Sequence, residues 1–301
     1  MLKCNLVVPG FAKSGTTSLH DYLASHSEIC MSRPKETNFF AVTTHWQRGH
    51  SWYNSLFADH GTARKWYGES SPLYGVWEPA LERMRERLRD PALIIILRHP
   101  VQRVLSHYKW IWAMGLESRP LLTAIYEDRE EDFHPDRPLP DCDGHYTHYR
   151  RFSHYSRFCP LMESLFGKDR ILYISTEELS SSPQRTLSKC FAFLGVPEIL
   201  VTTNVRANQT ESVRLQRKLG FDKLLSPIPQ SLRDRLDPRG RFRARAKTLF
   251  GKHSRKPPAI TDADKEELNR VLAADITFYN STFSKSDLSE AKITDAKSKP
   301  R

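Results

Sequence analysis

Five consecutive apolar residues, Leu93-Ile94-Ile95-Ile96-Leu97, restrict this chain more than any other stretch. An uninterrupted branched run turns neither face to water, so it belongs inside a parallel sheet with helices on both sides. The residues after it agree: Pro100 stands where the first turn of a helix tolerates proline, and 101–112 continues as that helix. Two more strand–helix pairs are legible. Residues 2–9 have the content of a short buried strand and lead through a Gly/Ser/Thr turn into a helical stretch at 18–26. Residues 171–174 read as another inner strand, and Pro183 opens a helix that runs to Leu194 and ends at Gly195 and Pro197. Alternating strands and helices predict an α/β chain of three layers, a central parallel sheet flanked by helices. No linker divides the middle, so 1–283 reads as one domain. Within it, 130–143 is an irregular Pro- and Asp-rich excursion, and 261–279 is a final helix capped by Thr261 with Asp264 in its first turn; 284–301 is a flexible polar tail.

Ligands of such sheets bind at the carboxyl ends of the strands, which singles out the loops after Pro9 and Leu97. The first, Gly10-Phe11-Ala12-Lys13-Ser14-Gly15-Thr16-Thr17-Ser18-Leu19, puts a lysine, a glycine and hydroxyl residues where a strand meets a helix. The N–H groups at the helix start, the positive end of its dipole and Lys13 together make a P-loop-like cradle for phosphate. The order is not that of a Walker A loop, where lysine follows the second glycine; here Lys13 precedes Gly15. Alone, such a loop is also ordinary turn chemistry. The second loop adds Arg98 at the strand end and Ser106 about two helical turns on. Separately these are a strand-end salt bridge and a surface position. Together they offer an arginine fork and a hydroxyl to a further phosphate, and two spaced anion sites suit a nucleoside phosphorylated at both ends.

The partner's sign follows from charge. Forty-six Lys and Arg against 35 Asp and Glu leave +11, which favours nucleic acid, a membrane surface, a phosphorylated cofactor or an acidic glycan. Much of the excess lies in 233–256, either a solvated basic face or an anion-binding loop. A nucleic-acid-binding module is an alternative on charge alone, unaccompanied by a reader motif, and a nucleotide kinase is an alternative on the first loop alone. Five cysteines, odd in number and without CxxC spacing, read as thiols of a reducing compartment. With no secretory apolar segment and no apolar run near the length of a membrane helix, the expectation is a cytoplasmic protein without a membrane span.

Taken together, these residues resemble a known family. Lys13-Ser14-Gly15-Thr16-Thr17 is similar to the 5'-phosphosulfate loop of the sulfotransferases that use 3'-phosphoadenosine 5'-phosphosulfate (PAPS), and Arg98-His99-Pro100 with Ser106 is similar to their 3'-phosphate motif. Pro34-Lys35-Glu36-Thr37-Asn38-Phe39-Phe40, Glu69-Ser70-Ser71-Pro72, Ser153-His154-Tyr155 and Phe166-Gly167 resemble bacterial members related to the glycan and heparan-sulfate types. The resemblance implies PAPS as sulfonate donor, 3'-phosphoadenosine 5'-phosphate (PAP) as product and no metal. It gives Lys13 the sulfonate and its bridging oxygen, Ser14, Gly15, Thr16, Thr17 and Ser18 the 5'-phosphate, and Arg98 and Ser106 the 3'-phosphate. Glu36 matches the family's carboxylate base; its other reading is a surface carboxylate paired with Lys35. Arg255-Lys256-Pro257 matches a basic segment that closes over the nucleotide, and Asn38, Ser70 and Tyr155 become candidate acceptor contacts. Two departures stand out: Asn38 replaces a histidine and Ser70 a lysine of some glycan-modifying relatives. A histidine base, His20, His45 or His99, is the fallback. The implied acceptor is a carbohydrate or a small natural product, with no nucleic acid.

Overall fold

The computed structural model describes residues 1–57, 63–113, 116–129, 132–136, 147–201 and 257–283. Five parallel strands form its centre: β1 (Leu6–Val8), β2 (Ile29–Met31), β3 (Trp66–Ser70), β4 (Ala92–Leu97) and β5 (Ile171–Ser175). Their spatial order is β2-β3-β1-β4-β5. The expected α/β arrangement, with a P-loop-like turn after the first strand, is thus adopted.

Side chains alternate across the sheet as strand geometry requires. Leu6, Val8, Ile94 and Ile96 enter one buried cluster with Leu19, Leu23, Leu187 and Phe191. Those helical residues belong to α1 (Thr16–Ala24) and α9 (Pro183–Leu194). Val7, Leu93, Ile95 and Leu97 enter the other cluster with Leu81, Met84, Val104, Tyr108, Phe158 and Met162. These come from α4 (Glu78–Arg87), α5 (Pro100–Ala113) and α7 (Tyr155–Phe166). Full burial of one such aliphatic side chain contributes about 1.5–3 kcal/mol, so the two-sided apolar run of β4 anchors both layers.

The remaining helices are α2 (Thr43–Trp46), α3 (Gly49–Ser55), α6 (Leu121–Tyr126), α8 (Thr176–Ser181), α10 (Asp262–Val271) and α11 (Ala273–Thr282). The expected last helix is therefore two. Its start is as expected: Thr261 Oγ1 accepts from the Asp264 N–H at 3.1 Å while Asp264 accepts from the Thr261 N–H at 2.8 Å, a capping box. It breaks at Leu272, whose backbone leaves helical geometry (φ −103°, ψ 17°). Of the expected excursion, 132–136 is described: Phe133 and His134 pack on Trp77 with centroids 5.6 and 5.4 Å away, and Asp136 accepts from the Thr43 N–H at 2.6 Å. The basic segment 233–256, with Arg255 and Lys256, and the tail 284–301 lie outside the described residues.

After β1 the chain goes to one side of it for β2 and β3 and to the other for β4 and β5. The switch point falls between β1 and β4, where sheets of this kind take their ligands. Lys13 and Arg98 stand on the two loops that leave it.

Candidate active site

The first loop is a helix start left open. Gly15 caps α1 in the left-handed conformation (φ 94°), which a side chain would strain, and as glycine it has no side chain with which to bond that end of the helix. The first intrahelical bond runs from the Leu19 N–H to the Gly15 carbonyl at 3.1 Å. The N–H groups of Gly15, Thr16, Thr17 and Ser18 therefore precede the ladder and face outward at the dipole's positive end. Thr16 is buried, Ser18 half-buried and Thr17 exposed.

Neighbouring elements fix the loop. Thr176 Oγ1, just past β5, donates to the Ser14 carbonyl at 2.5 Å and the Leu97 carbonyl at 3.1 Å, stitching loop to sheet. On the β3 side, the Gly75 N–H donates to the Pro9 carbonyl at 2.7 Å; a Cβ there would meet that oxygen at 2.8 Å, so only glycine fits. Arg98 Nη1 donates to the Lys13 carbonyl at 3.3 Å, and Tyr155 Oη to the Arg98 carbonyl at 3.0 Å. Tyr155, fully buried, packs against Phe11 with ring centroids 4.7 Å apart and planes tilted by 60°, and its phenol lies against the Ser14 hydroxyl. That geometry makes it a brace between the two loops.

One face of α5 looks onto the same loop. Arg103 donates to the Ala12 carbonyl at 3.4 Å, and the Trp110 ring lies 4.9 Å from Lys13 Nζ. Ser106 is three residues after Arg103 and four before Trp110, on that face, and buried. Arg103 is absent from the residues expected at the site, although its signal was there: it occupies the buried stripe of Val104, His107, Tyr108 and Ile111. Its side chain is fully buried. It also donates to Ser153 Oγ at 2.6 Å and to the Tyr149 carbonyl and meets His107 Nδ1 at 3.1 Å, and burial lowers its guanidinium to about 10. Lys13 shares this cationic corner. Burial chiefly, then Arg98, pushes its ammonium down to about 8, with Arg103 and Lys35 adding to the effect and Glu36 opposing it.

Glu36 lies on a loop between β2 and α2, near enough to Lys13 for its charge to act on the ammonium. It ion-pairs with Lys35, and its side chain is 36% exposed, so the pairing read as an alternative exists and still leaves the carboxylate open to solvent. Lys13, Glu36 and Asn38 all have positive φ (67°, 61° and 47°), backbone that non-glycine residues adopt only when their surroundings hold them there. Asn38 is buried, and its Oδ1 has no hydrogen-bond partner among the described residues. Ser70, at the end of β3, is fully buried and meets His20 Nδ1 at 3.0 Å. Burial lowers His20 to about 4, so it is neutral near pH 7. His45 Nδ1 lies 2.8 Å from the Thr37 carbonyl, which only accepts, so that nitrogen carries the proton. The His99 backbone N–H donates to Glu177 Oε1 at 3.3 Å, and Tyr279 Oη donates to Glu177 Oε2 at 2.8 Å. Among the described residues no cluster of His, Cys, Asp or Glu is arranged to hold a metal, and no helix is long and apolar enough to cross a membrane.

The geometry gathers cations and N–H donors around one loop with a carboxylate near them, a layout for moving an anionic group. Residues 41–199 match the model of the Sulfotransferase family. The membrane-associated sulfotransferase kil1 of Dictyostelium discoideum is 34% identical over 121 residues, 39% of this chain and 25% of that protein. The heparan sulfate glucosamine 3-O-sulfotransferase 3B1 of Mus musculus is 26% identical over 216 residues, 70% of this chain and 51% of that enzyme. The chain thus spans a quarter to about half the length of these curated relatives. Among solved structures, a sulfotransferase from Alicyclobacillus acidocaldarius superposes with a TM-score of 0.57 at 23% identity, over 84% of this chain and 98% of that one, which shows the shared fold. With the family model covering more than half of its length, this chain belongs to the Sulfotransferase family.

Proposed function

We propose that the chain transfers the sulfonate of PAPS to a hydroxyl or amine of a carbohydrate or small natural product and releases PAP. The observation that carries this reading is the meeting of Lys13, Arg98 and the start of α1 at the switch point, with Glu36 close to Lys13. The N–H groups of Gly15 to Ser18 and the nearby hydroxyls suit the 5'-phosphate. Arg98 and Ser106 suit the 3'-phosphate, which would distinguish this donor from ATP.

In this reading the acceptor oxygen or nitrogen attacks sulfur in line, its bond to sulfur forms as the bond from sulfur to the 5'-phosphate oxygen breaks, and Glu36 takes the acceptor's proton. Negative charge grows on the departing phosphate. Lys13, desolvated and fixed by its loop, stabilises that charge more in the transition state than before it. Lys35 pairs with Glu36, whose carboxylate stays partly open to solvent. The orphaned Oδ1 of Asn38 takes a hydrogen bond from the acceptor, while Ser70 and Tyr155 shape the wall. The glycan relatives favour a carbohydrate acceptor. A cytoplasmic setting fits the four described cysteines, all buried thiols.

The test is transfer of labelled sulfonate from PAPS to a panel of glucosamine, a uronic-acid oligosaccharide, 4-nitrophenol and a primary amine. Lys13→Ala and Glu36→Gln should each lower kcat by about 100-fold or more, with far-UV circular dichroism unchanged. Wild-type rates in both folded variants would refute the mechanism. PAP should also raise Tm more than AMP does, and Arg98→Ala should erase the difference; equal shifts in the wild type would remove the 3'-phosphate assignment.

A further inference from the structure

Glu69 is a fully buried carboxylate at the end of β3, beside Val7 of β1, and the transfer mechanism does not use it. Four hydroxyls surround it: Thr37 Oγ1 donates to Oε2 at 2.6 Å, Ser71 Oγ to Oε2 at 2.8 Å, Tyr74 Oη to Oε1 at 3.0 Å, and Tyr53 Oη also to Oε1. Burial raises this carboxyl above its usual range against the opposing pull of those four donors, and all four hydroxyls point their protons at it. An ionised carboxylate is acceptor-only, so it dictates where each hydroxyl proton points.

Three of those hydroxyls face the Glu36 loop with their lone pairs. Ser71 Oγ accepts from the Asn38 N–H at 3.1 Å, Thr37 Oγ1 from the Phe39 N–H at 3.3 Å, and Tyr74 Oη from the Phe40 N–H at 3.3 Å. The Glu36 N–H itself goes to the Ser70 carbonyl, next to Glu69 in sequence, at 3.1 Å. Each of three successive backbone donors thus ends on a hydroxyl whose proton is taken by one carboxylate. The loop they hold is the one with positive φ at Glu36 and Asn38, a conformation that persists only where several bonds fix it.

We infer that Glu69 is the positioning residue for the base: its carboxylate orients the Ser71, Thr37 and Tyr74 hydroxyls so that they clamp residues 38–40 and hold Glu36 near Lys13. The proposal rests on the reading of Glu36 as the base.

The test is a double-mutant cycle in the full chain. Its rate is transfer from labelled PAPS to whichever panel acceptor the wild type uses, or to water if it uses none. Glu69→Gln keeps the volume and removes the acceptor-only charge. It should lower kcat by about 10- to 100-fold, as a displaced catalytic group does, leave the Kd for PAP within about twofold, and speed amide exchange at 38–40 at least about tenfold. On a Glu36→Gln background the same change should cost less than about twofold more, because a residue acting only through Glu36 has nothing left to position. An equal loss on both backgrounds, a matching loss of PAP affinity, or unchanged exchange at 38–40 overturns the proposal while leaving Glu36 as the base. A wild-type rate in Glu36→Gln alone sinks the base reading, and this proposal with it. Should Glu69→Gln not fold, Tyr74→Phe runs the same cycle, and Thr37→Ser must recover to within about threefold of wild type where Thr37→Val does not; identical behaviour of the two overturns the clamp.

Discussion

Lys13 sets the terms at the scale of the residue. Its ammonium sits half-buried behind Arg98, and burial above all brings it down to about 8. A depressed lysine is a cation below that value and neutral above it, so the attraction for an anion is lost as pH rises through about 8. The association constant for PAP, measured by calorimetry, should therefore fall between about pH 7 and 9 by up to about tenfold, one unit of pKa being a factor of ten. Lys13→Met should flatten that fall; a wild-type profile already flat would show that the ammonium lies off the binding surface. Lys13 and Arg98 could be singled out from the sequence because each stands in a short motif at a predicted element end, and Glu36 only through the family resemblance. Arg103 could not, and Glu69 only as part of a motif without a role, since a charge inside a buried stripe reads from sequence as an interruption of it. Only the contacts reveal that Arg103 holds the Ala12 carbonyl and Glu69 a set of hydroxyls.

At the scale of the element, the site depends on how helix ends are tied to one another. Asp275 of α11 accepts from the Ser156 N–H at 3.0 Å and from its hydroxyl at 2.7 Å, capping α7 from another part of the chain. Tyr155, the first residue of α7, is the brace under Arg98. Asp275→Ala should cost about 1–2 kcal/mol in urea unfolding, the usual loss for a helix cap, and Asp275→Asn, which can still accept, less than half of that. Equal losses for the two would assign the effect to packing. Helix ends were the most legible feature of the sequence: Pro100, the interval from Pro183 to Gly195, and Thr261 with Asp264 all mark real boundaries. β2 and β3 were not legible. β2 has three residues, too few for a pattern, and in β3 Gly68 and Glu69 replace the branched residues expected of an inner strand. The break at Leu272 has neither glycine nor proline to announce it.

At the scale of the whole molecule, α10 and α11 return from far along the sequence to close one layer. Leu268, Leu272, Tyr279 and Phe283 join the cluster beneath Val7 and Leu97, and Tyr279 reaches His99 through Glu177. The sheet order has a kinetic side. β1 is made first, but its two neighbours in the sheet are β3 and β4, and β3 must slot between β1 and a β2 already placed. Such non-local pairing is slow and arrives late. The Lys13 loop is held from both flanks, so it has no finished shape until both neighbours are in, and a partly folded chain has nothing with which to recognise a nucleotide. Loss of a fluorescent PAP analogue and loss of far-UV ellipticity should therefore coincide along a urea titration, as in an all-or-none transition; release of the nucleotide well before the sheet melts would mean that the loop unfolds on its own. On the proposed reading, donor binding is available only to a chain that has completed its sheet.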